Sequence, residues 1–295
     1  MNQTISFLTR RFREAGIGPR TQLGQNFLID LNLVRLLVRS AELGPQDVVL
    51  EVGTGMGSVT ALAAREAGAV VTVEVDRSVS QLAAEELFQF ANVRMLNVDA
   101  LKNKNQLHPD VLDAVRAELA APPGRRLKLL ANLPYNAATP VITNLLSIET
   151  PPRTMTVTVQ KELADRIAAM PGTKDYGALS IWIQSQCRVE IVRVLPPSVF
   201  WPRPKVHSVI MHIVVDDALR SRIPDRPFFH DFVRKMFLHR RKVLRSQLAS
   251  AMKDRLEKND VDHVLAALRL DPDLRAEQLD VDTMLALAEA ARAQL

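Results

Sequence analysis

The chain has 295 residues, 47% of them hydrophobic, and a net charge of +5, enough apolar material for a full core and a length suited to one large domain plus a smaller one. Its one cysteine, Cys187, excludes an intrachain disulfide and a thiolate metal cluster, and no apolar run approaches the ~20 residues of a membrane-spanning helix. A soluble protein of a reducing, cytoplasmic compartment is expected, although a basic, acid-poor start carrying Arg10, Arg11 and Arg13 is also a transit-peptide composition. The charge is unevenly placed. Between Arg188 and Arg245 there are thirteen Lys/Arg against five acids, whereas Ser246 to Leu295 holds six against ten, so a polyanion is the expected partner of the first stretch.

In chain order, residues 1–22 read as an exposed, mobile basic arm, with Gly16, Gly18 and Pro19 as breakers. Helical spacing of Leu33, Leu36, Leu37 and Ser40 predicts a helix over 31–43. Val48 to Val52 is a buried strand that runs into Gly53-Thr54-Gly55-Met56-Gly57 and a helix over 59–67. Strand, glycine loop, helix opens a Rossmann-like βαβ unit, in which glycines let a ligand approach the backbone. The third glycine comes one residue early for a pyrophosphate site, which favours a ligand without phosphates such as S-adenosylmethionine. A strand over 70–75 carries Glu74, about twenty residues after the first glycine, where an acid accepts from ribose hydroxyls. A third strand over 93–98 ends at Asp99, an acceptor for an adenine amine. Gly53, Glu74 and Asp99 thus stand at three successive strand ends. The connection 101–126 holds a polar KNKNQ stretch and a short helix over 110–119, and is longer than such a unit needs.

Leu127, Leu129, Leu130 and Ala131 run apolar into Asn132-Leu133-Pro134-Tyr135, a strand that stops in a loop. The Asn132 side-chain oxygen and the carbonyl of Leu133 or Pro134 can each accept one hydrogen of an exocyclic amine, with Tyr135 stacking on its ring; Pro134 is taken as the second acceptor. A proline turn with a capping Asn and a core Tyr accounts for the same residues. Beyond it a helix is expected over 140–146, a strand over 154–160, a helix over 161–170, and strands over 180–195 and 206–215, the last two separated by the stiff loop Pro196 to Lys205. One helix over 228–248 places Phe232, Val233, Met236, Phe237, Val243 and Leu244 on one arc. Arg234, Lys235, Arg241, Lys242 and Arg245 fall on the other, and Arg240 alone points into the apolar arc. Helices over 261–270 and 281–293 complete the chain.

GQNFL at 24–28, NLPY at 132–135 and FWPRPKV at 200–206, with VQKELADRI and KDYGALS between the last two, resemble the ribosomal RNA adenine dimethyltransferase family, most of all its small-subunit branch, from about Leu23 to the C-terminus. The resemblance implies an α/β fold: a Rossmann-like S-adenosylmethionine-dependent methyltransferase domain over 23–225 and a small all-helical RNA-binding domain over 226–295. It adds Asn26 and Leu28 to Gly53, Glu74, Asp99 and Asn132 as cofactor contacts, and places Phe200 near the second face of the target base beside the catalytic Asn132, Pro134 and Tyr135. Arg203 and Lys205 join Arg234, Lys235, Arg241, Lys242 and Arg245 as expected RNA contacts. The implied reaction is dimethylation of two adjacent adenines near the 3′ end of small-subunit (16S) rRNA in an immature subunit, by a monomer needing no metal and no membrane. The alternatives are a large-subunit (23S) enzyme of macrolide resistance, in which NIPY is more usual, and a non-catalytic ribosome-assembly or mitochondrial transcription factor of the same fold.

Overall fold

The structure, a computed structural model, describes residues 4–120, 122–239 and 241–295; Arg240, expected on the apolar arc, lies outside them. Two compact units emerge, Met1–Ala164 with Glu190–Val214, and Asp165–Val189 with Val215–Leu295. The helical unit therefore takes in 165–189 as well as the segment expected from 226 onward.

The first unit is built on a seven-stranded sheet of β1 (Asp47–Val52), β2 (Ala69–Val73), β3 (Val93–Leu96), β4 (Arg126–Asn132), β5 (Thr154–Gln160), β6 (Cys187–Leu195) and β7 (Ser208–Val215), in the order β3-β2-β1-β4-β5-β7-β6. Strands β3 to β5 are parallel and β7 runs antiparallel to β5. Central strands covered on both faces need continuous apolar runs, and all six residues of β1 are buried. Leu37 and Val38 of the helix Leu31–Arg39 and Val59 and Ala63 of the helix Ser58–Ala63 close over Val49, Val70 and Leu130. Asp30 and Asp76 cap the helices that follow them, each carboxylate accepting two backbone N–H groups.

Three expectations are corrected. Residues Ile5–Glu14, expected as mobile arm, form a helix whose Leu8 and Phe12 are buried against Phe27, Met56, Val79 and Leu82, with Arg11 paired to Glu85; the helix ends just before Gly16, at φ +68°. The strand expected over 180–195 begins only at Cys187. Ala178–Gln184 is a helix, because Ser180 Oγ accepts the Gly177 N–H (3.1 Å) and donates to the Arg166 carbonyl (2.5 Å) while Trp182 packs on Phe229 and His230 of its own unit. The single helix over 228–248 is two, Arg226–Met236 and Leu244–Ala251. The second starts where Leu244 N–H and Arg245 N–H donate to the carbonyls of Leu274 (2.6 Å) and Pro272 (3.1 Å), a cap supplied by a distant loop. The connection 101–126 resolves into a small hairpin, Leu101–Asn103 with Gln106–Leu107, and the helix Pro109–Ala120.

Candidate active site

The carboxyl ends of β1, β2 and β4 open on a cavity of about 190 Å³ that also takes in Asn26, Leu28 and Asp99. Gly53 (φ +87°) and Gly55 (φ +54°) adopt left-handed backbone, which glycine enters without steric cost. A Cβ on Gly53 would stand 3.2 Å from Pro134 Cδ, so the glycine loop and the Asn132 loop are in near contact. Four of the five N–H groups of the loop 53–57 are engaged within the protein. Gly53 (2.8 Å) and Thr54 (3.3 Å) donate to the Val73 carbonyl, Gly57 to the Thr54 carbonyl (2.9 Å) and Gly55 to Glu74 Oε2 (3.1 Å). A phosphate cradle needs such donors free. The cavity wall carries three carboxyl groups, Glu51, Glu74 and Asp99, and among the described residues no Lys, Arg or His. Acceptors without a base repel a phosphate and suit a cationic ligand rich in hydroxyl and amine hydrogens.

Glu74 is buried; Oε2 takes the Gly55 N–H and Oε1 the Asp76 N–H (3.0 Å), and burial nonetheless raises its carboxyl above the usual range. Asp99 is exposed at the rim, one oxygen accepting the Leu101 N–H (2.9 Å). Asn132 ends β4 with its amide oriented. Nδ2 donates to the Asn26 carbonyl at 2.8 Å, and because a carbonyl only accepts, Oδ1 is left as the end available to a ligand. Asn26 is itself steadied by Nδ2 donating to the Gly24 carbonyl (3.1 Å).

The rest of the tip departs from expectation. The Pro134 carbonyl, taken as the second acceptor, is occupied by the N–H groups of Ala137 (2.9 Å) and Ala138 (3.1 Å), which start the helix Ala138–Ser147. Both its lone pairs are used. The Leu133 carbonyl receives no such bond among the described residues, which leaves it open as an acceptor next to Asn132. Tyr135 is half-buried outside the cavity wall, its hydroxyl 2.7 Å from Ser208 Oγ, and burial raises the phenol above its ordinary value.

Phe200 is the second correction. It is 2% exposed, paired across a two-residue ladder with Leu28 and packed among Leu130, Leu195 and Ile210. A phenyl ring gains more from that core than from a wet cleft. Phe200→Ala is therefore expected to lower stability by about 3–5 kcal/mol, measured by urea unfolding; a stable variant defective only in methyl transfer would reverse the assignment.

Glu51, which lines the cavity with Thr60 and Thr72 bonded to its carboxyl, was missed because the acid sits inside a run that reads as buried strand. The signal was that acid itself, at an interior position two residues before Gly53. Of the expected RNA contacts, Arg203, Lys205, Arg234, Arg241 and Lys242 form no ion pair with another described residue, and all five are exposed. Lys235 is paired with Asp231 (2.8 Å), and Arg245 holds Asp262 through two bonds of 2.5 and 2.7 Å, so these two charges are locally offset. No group of three or more His, Cys, Asp or Glu suited to a metal ion occurs among the described residues, and no helix there is long and apolar enough to cross a membrane.

The sequence profile of the ribosomal RNA adenine dimethylase family matches residues 18–291. The chain is 38% identical over 276 residues to a ribosomal RNA small subunit methyltransferase A of Geobacillus kaustophilus, covering 93% of this chain and 92% of that one. It is 38% identical to the protein of the same name from Alkaliphilus oremlandii, covering 88% and 87%. Among solved structures, a dimethyladenosine transferase from Plasmodium falciparum shares the fold with a TM-score of 0.72 at 22% identity, over 90% of this chain and 97% of that one. The 23S rRNA methyltransferase ErmE shares it at 0.60 and 22%, over 90% and 99%. With the profile spanning both units and the base-free cleft at its strand ends, the chain belongs to the ribosomal RNA adenine dimethylase family.

Proposed function

We propose that the protein dimethylates adenine amino groups of small-subunit ribosomal RNA with S-adenosylmethionine. The observation that carries this reading is the cleft itself: three carboxyl groups, no basic side chain among the described residues and inward-turned glycine N–H groups at the tips of β1, β2 and β4, beside an Asn whose oxygen is oriented. S-adenosylmethionine supplies an electrophilic methyl carbon when bound. In our reading Glu74 and Asp99 hold its ribose and adenine, Asn26 and Leu28 close over it, and Gly53 leaves room for its amino-acid half.

The chain's own contribution is positioning and electrostatics. An adenine amine is a weak nucleophile because its lone pair is delocalised into the ring. Asn132 Oδ1 and the Leu133 carbonyl draw its two hydrogens to one side, which turns the lone pair toward the cleft, and Tyr135 offers a face to the base. No strong base is required, since the proton becomes acidic once the nitrogen bears the new bond. An adenine taken out of a stem costs a few kcal/mol, offset by stacking in the pocket.

The target is read as two adjacent adenines near the 3′ end of the rRNA in an immature subunit, methylated by a monomer in the cytoplasm. Labelled cofactor incubated with undermethylated small subunits, large subunits and naked rRNA tests this; label confined to large subunits would overturn it. Exposed Arg241 and Lys242 are assigned to the RNA backbone. Replacing both with Ala is expected to weaken binding and to flatten the dependence of log K on log salt by about 1.5, measured by filter binding over a salt series.

A further inference from the structure

One group on the cavity wall has no role above. Glu51 is 1% exposed, yet it lines the cavity two residues ahead of Gly53. Its Oε2 accepts from Thr60 Oγ1 (2.5 Å) and Thr72 Oγ1 (2.7 Å), and Thr72 is in turn 2.6 Å from Thr54 Oγ1. Neither hydroxyl of Thr60 or Thr72 bonds Oε1. Among the described residues, the elements packed around Glu51 bring no cation to it. Strand β2 supplies Thr72 and the acid Glu74, and the helix Ser58–Ala63 supplies Thr60 with its hydroxyl and N–H. Lys128 of β4 is held elsewhere, by Asp47 Oδ2 (3.1 Å) and the carbonyls of Ala41 (2.9 Å) and Glu42 (2.6 Å). Burial, with Glu74 nearby, pushes the carboxyl up to about 8 against the pull of the threonines. The acid is therefore held mostly in its neutral form at pH 7 while the cavity holds no cation.

Clamping two hydroxyls requires only a neutral acceptor. An ionisable group in that place gains a use when a cation arrives, and the cavity has none of its own. With Glu74 and Asp99 at the ribose and adenine, the Gly53 end falls to the amino-acid half of the ligand, which carries an ammonium. We propose that Glu51 is the counter-charge for that ammonium and gives up its proton to solvent as the ammonium enters. The proposal rests on the cavity being the S-adenosylmethionine site. One O–H bond of Glu51 breaks, the proton goes to buffer and the ammonium keeps its own hydrogens. The sign follows: ligand affinity rises with pH, by up to about tenfold per unit, until Glu51 is ionised without ligand at about 8. Near that pH the ligand's α-amine begins to lose its own proton.

Isothermal titration in two buffers of different ionisation enthalpy, at about pH 6.5, reads the released proton directly. S-adenosylmethionine and S-adenosylhomocysteine are each expected to release close to one proton. 5′-Methylthioadenosine, which lacks the amino-acid end, should release none. In Glu51→Gln the release disappears, affinity for the first two ligands falls about tenfold or more and loses its rise with pH, and 5′-methylthioadenosine binds as before. Buffer-independent heats in the wild type, or equal release by all three ligands, would overturn the assignment. The wild-type heats decide the matter if the variant does not fold. Absence of S-adenosylmethionine binding in every buffer would instead remove the reading of the cavity on which the proposal stands.

Discussion

Asn132→Ala is expected to cut methyl transfer by about 10²–10³-fold, the usual cost of deleting one preorganised polar group at a reacting centre, while the cofactor affinity falls by about tenfold at most, the worth of a single hydrogen bond. The asymmetry follows from the geometry. In our reading the cofactor keeps Glu74, Asp99 and the glycine loop, whereas the amine loses one of two acceptors. Asn132→Asp separates geometry from charge, since a carboxylate has no N–H to give the Asn26 carbonyl that holds Nδ2 at 2.8 Å, and two acceptors would then face each other. Single-turnover transfer of labelled methyl, with cofactor binding followed calorimetrically, checks both substitutions. Unimpaired transfer by Asn132→Ala would dismiss the tip as the amine site, and an equal collapse of cofactor binding would make Asn132 a cofactor residue first.

Gly68→Ala is expected to be the more damaging change for folding. A Cβ at Gly68 would stand 2.1 Å from the Pro45 carbonyl oxygen, well inside van der Waals contact, and the obstacle is backbone that cannot rotate away. Gly68 N–H also donates to the Asp47 carbonyl (3.0 Å) at the entry to β2, so relief by moving the chain would open the pairing of β1 with β2. Overpacking of this kind costs on the order of 3 kcal/mol, a fall in Tm of roughly 6–12 °C for a chain of this size. Gly18, with nothing within 4 Å of its built Cβ, is the matched control: Ala there should change stability by about 0.5 kcal/mol or less. Thermal melts of the two variants suffice, and equal midpoints would show that the 45–68 contact yields freely.

The site was legible in the sequence where strand ends could be counted. Gly53, Glu74 and Asp99 follow three apolar runs at the spacing of successive parallel strands, and the structure brings them to one cavity. What depended on backbone partners was not legible. Nothing in the letters NLPY says that Ala137 and Ala138 will occupy the Pro134 carbonyl, and so the acceptor fell one residue late. Nothing in a proline-rich loop says which way its phenylalanine turns; Phe200 went to the core because Leu28, on a segment far away in sequence, pairs with it. The break after Met236 is set by carbonyls at 272 and 274, beyond the reach of periodicity. The N-terminal helix was a different failure. Leu8 and Phe12 stand at i and i+4, a readable apolar stripe, masked by the arginines between and beside them.

The absence of any Lys, Arg or His from the cavity wall among the described residues also bears on how this cleft behaves among cellular metabolites. ATP offers the same adenosine, and a site that recognised only ribose and base would fill with it. Acceptors at the ribose and adenine positions, with no cation on the wall to receive a triphosphate, make that competitor unwelcome by charge, with no steric gate needed. Selectivity here is an electrostatic refusal, set by which residues were left out as much as by which were put in.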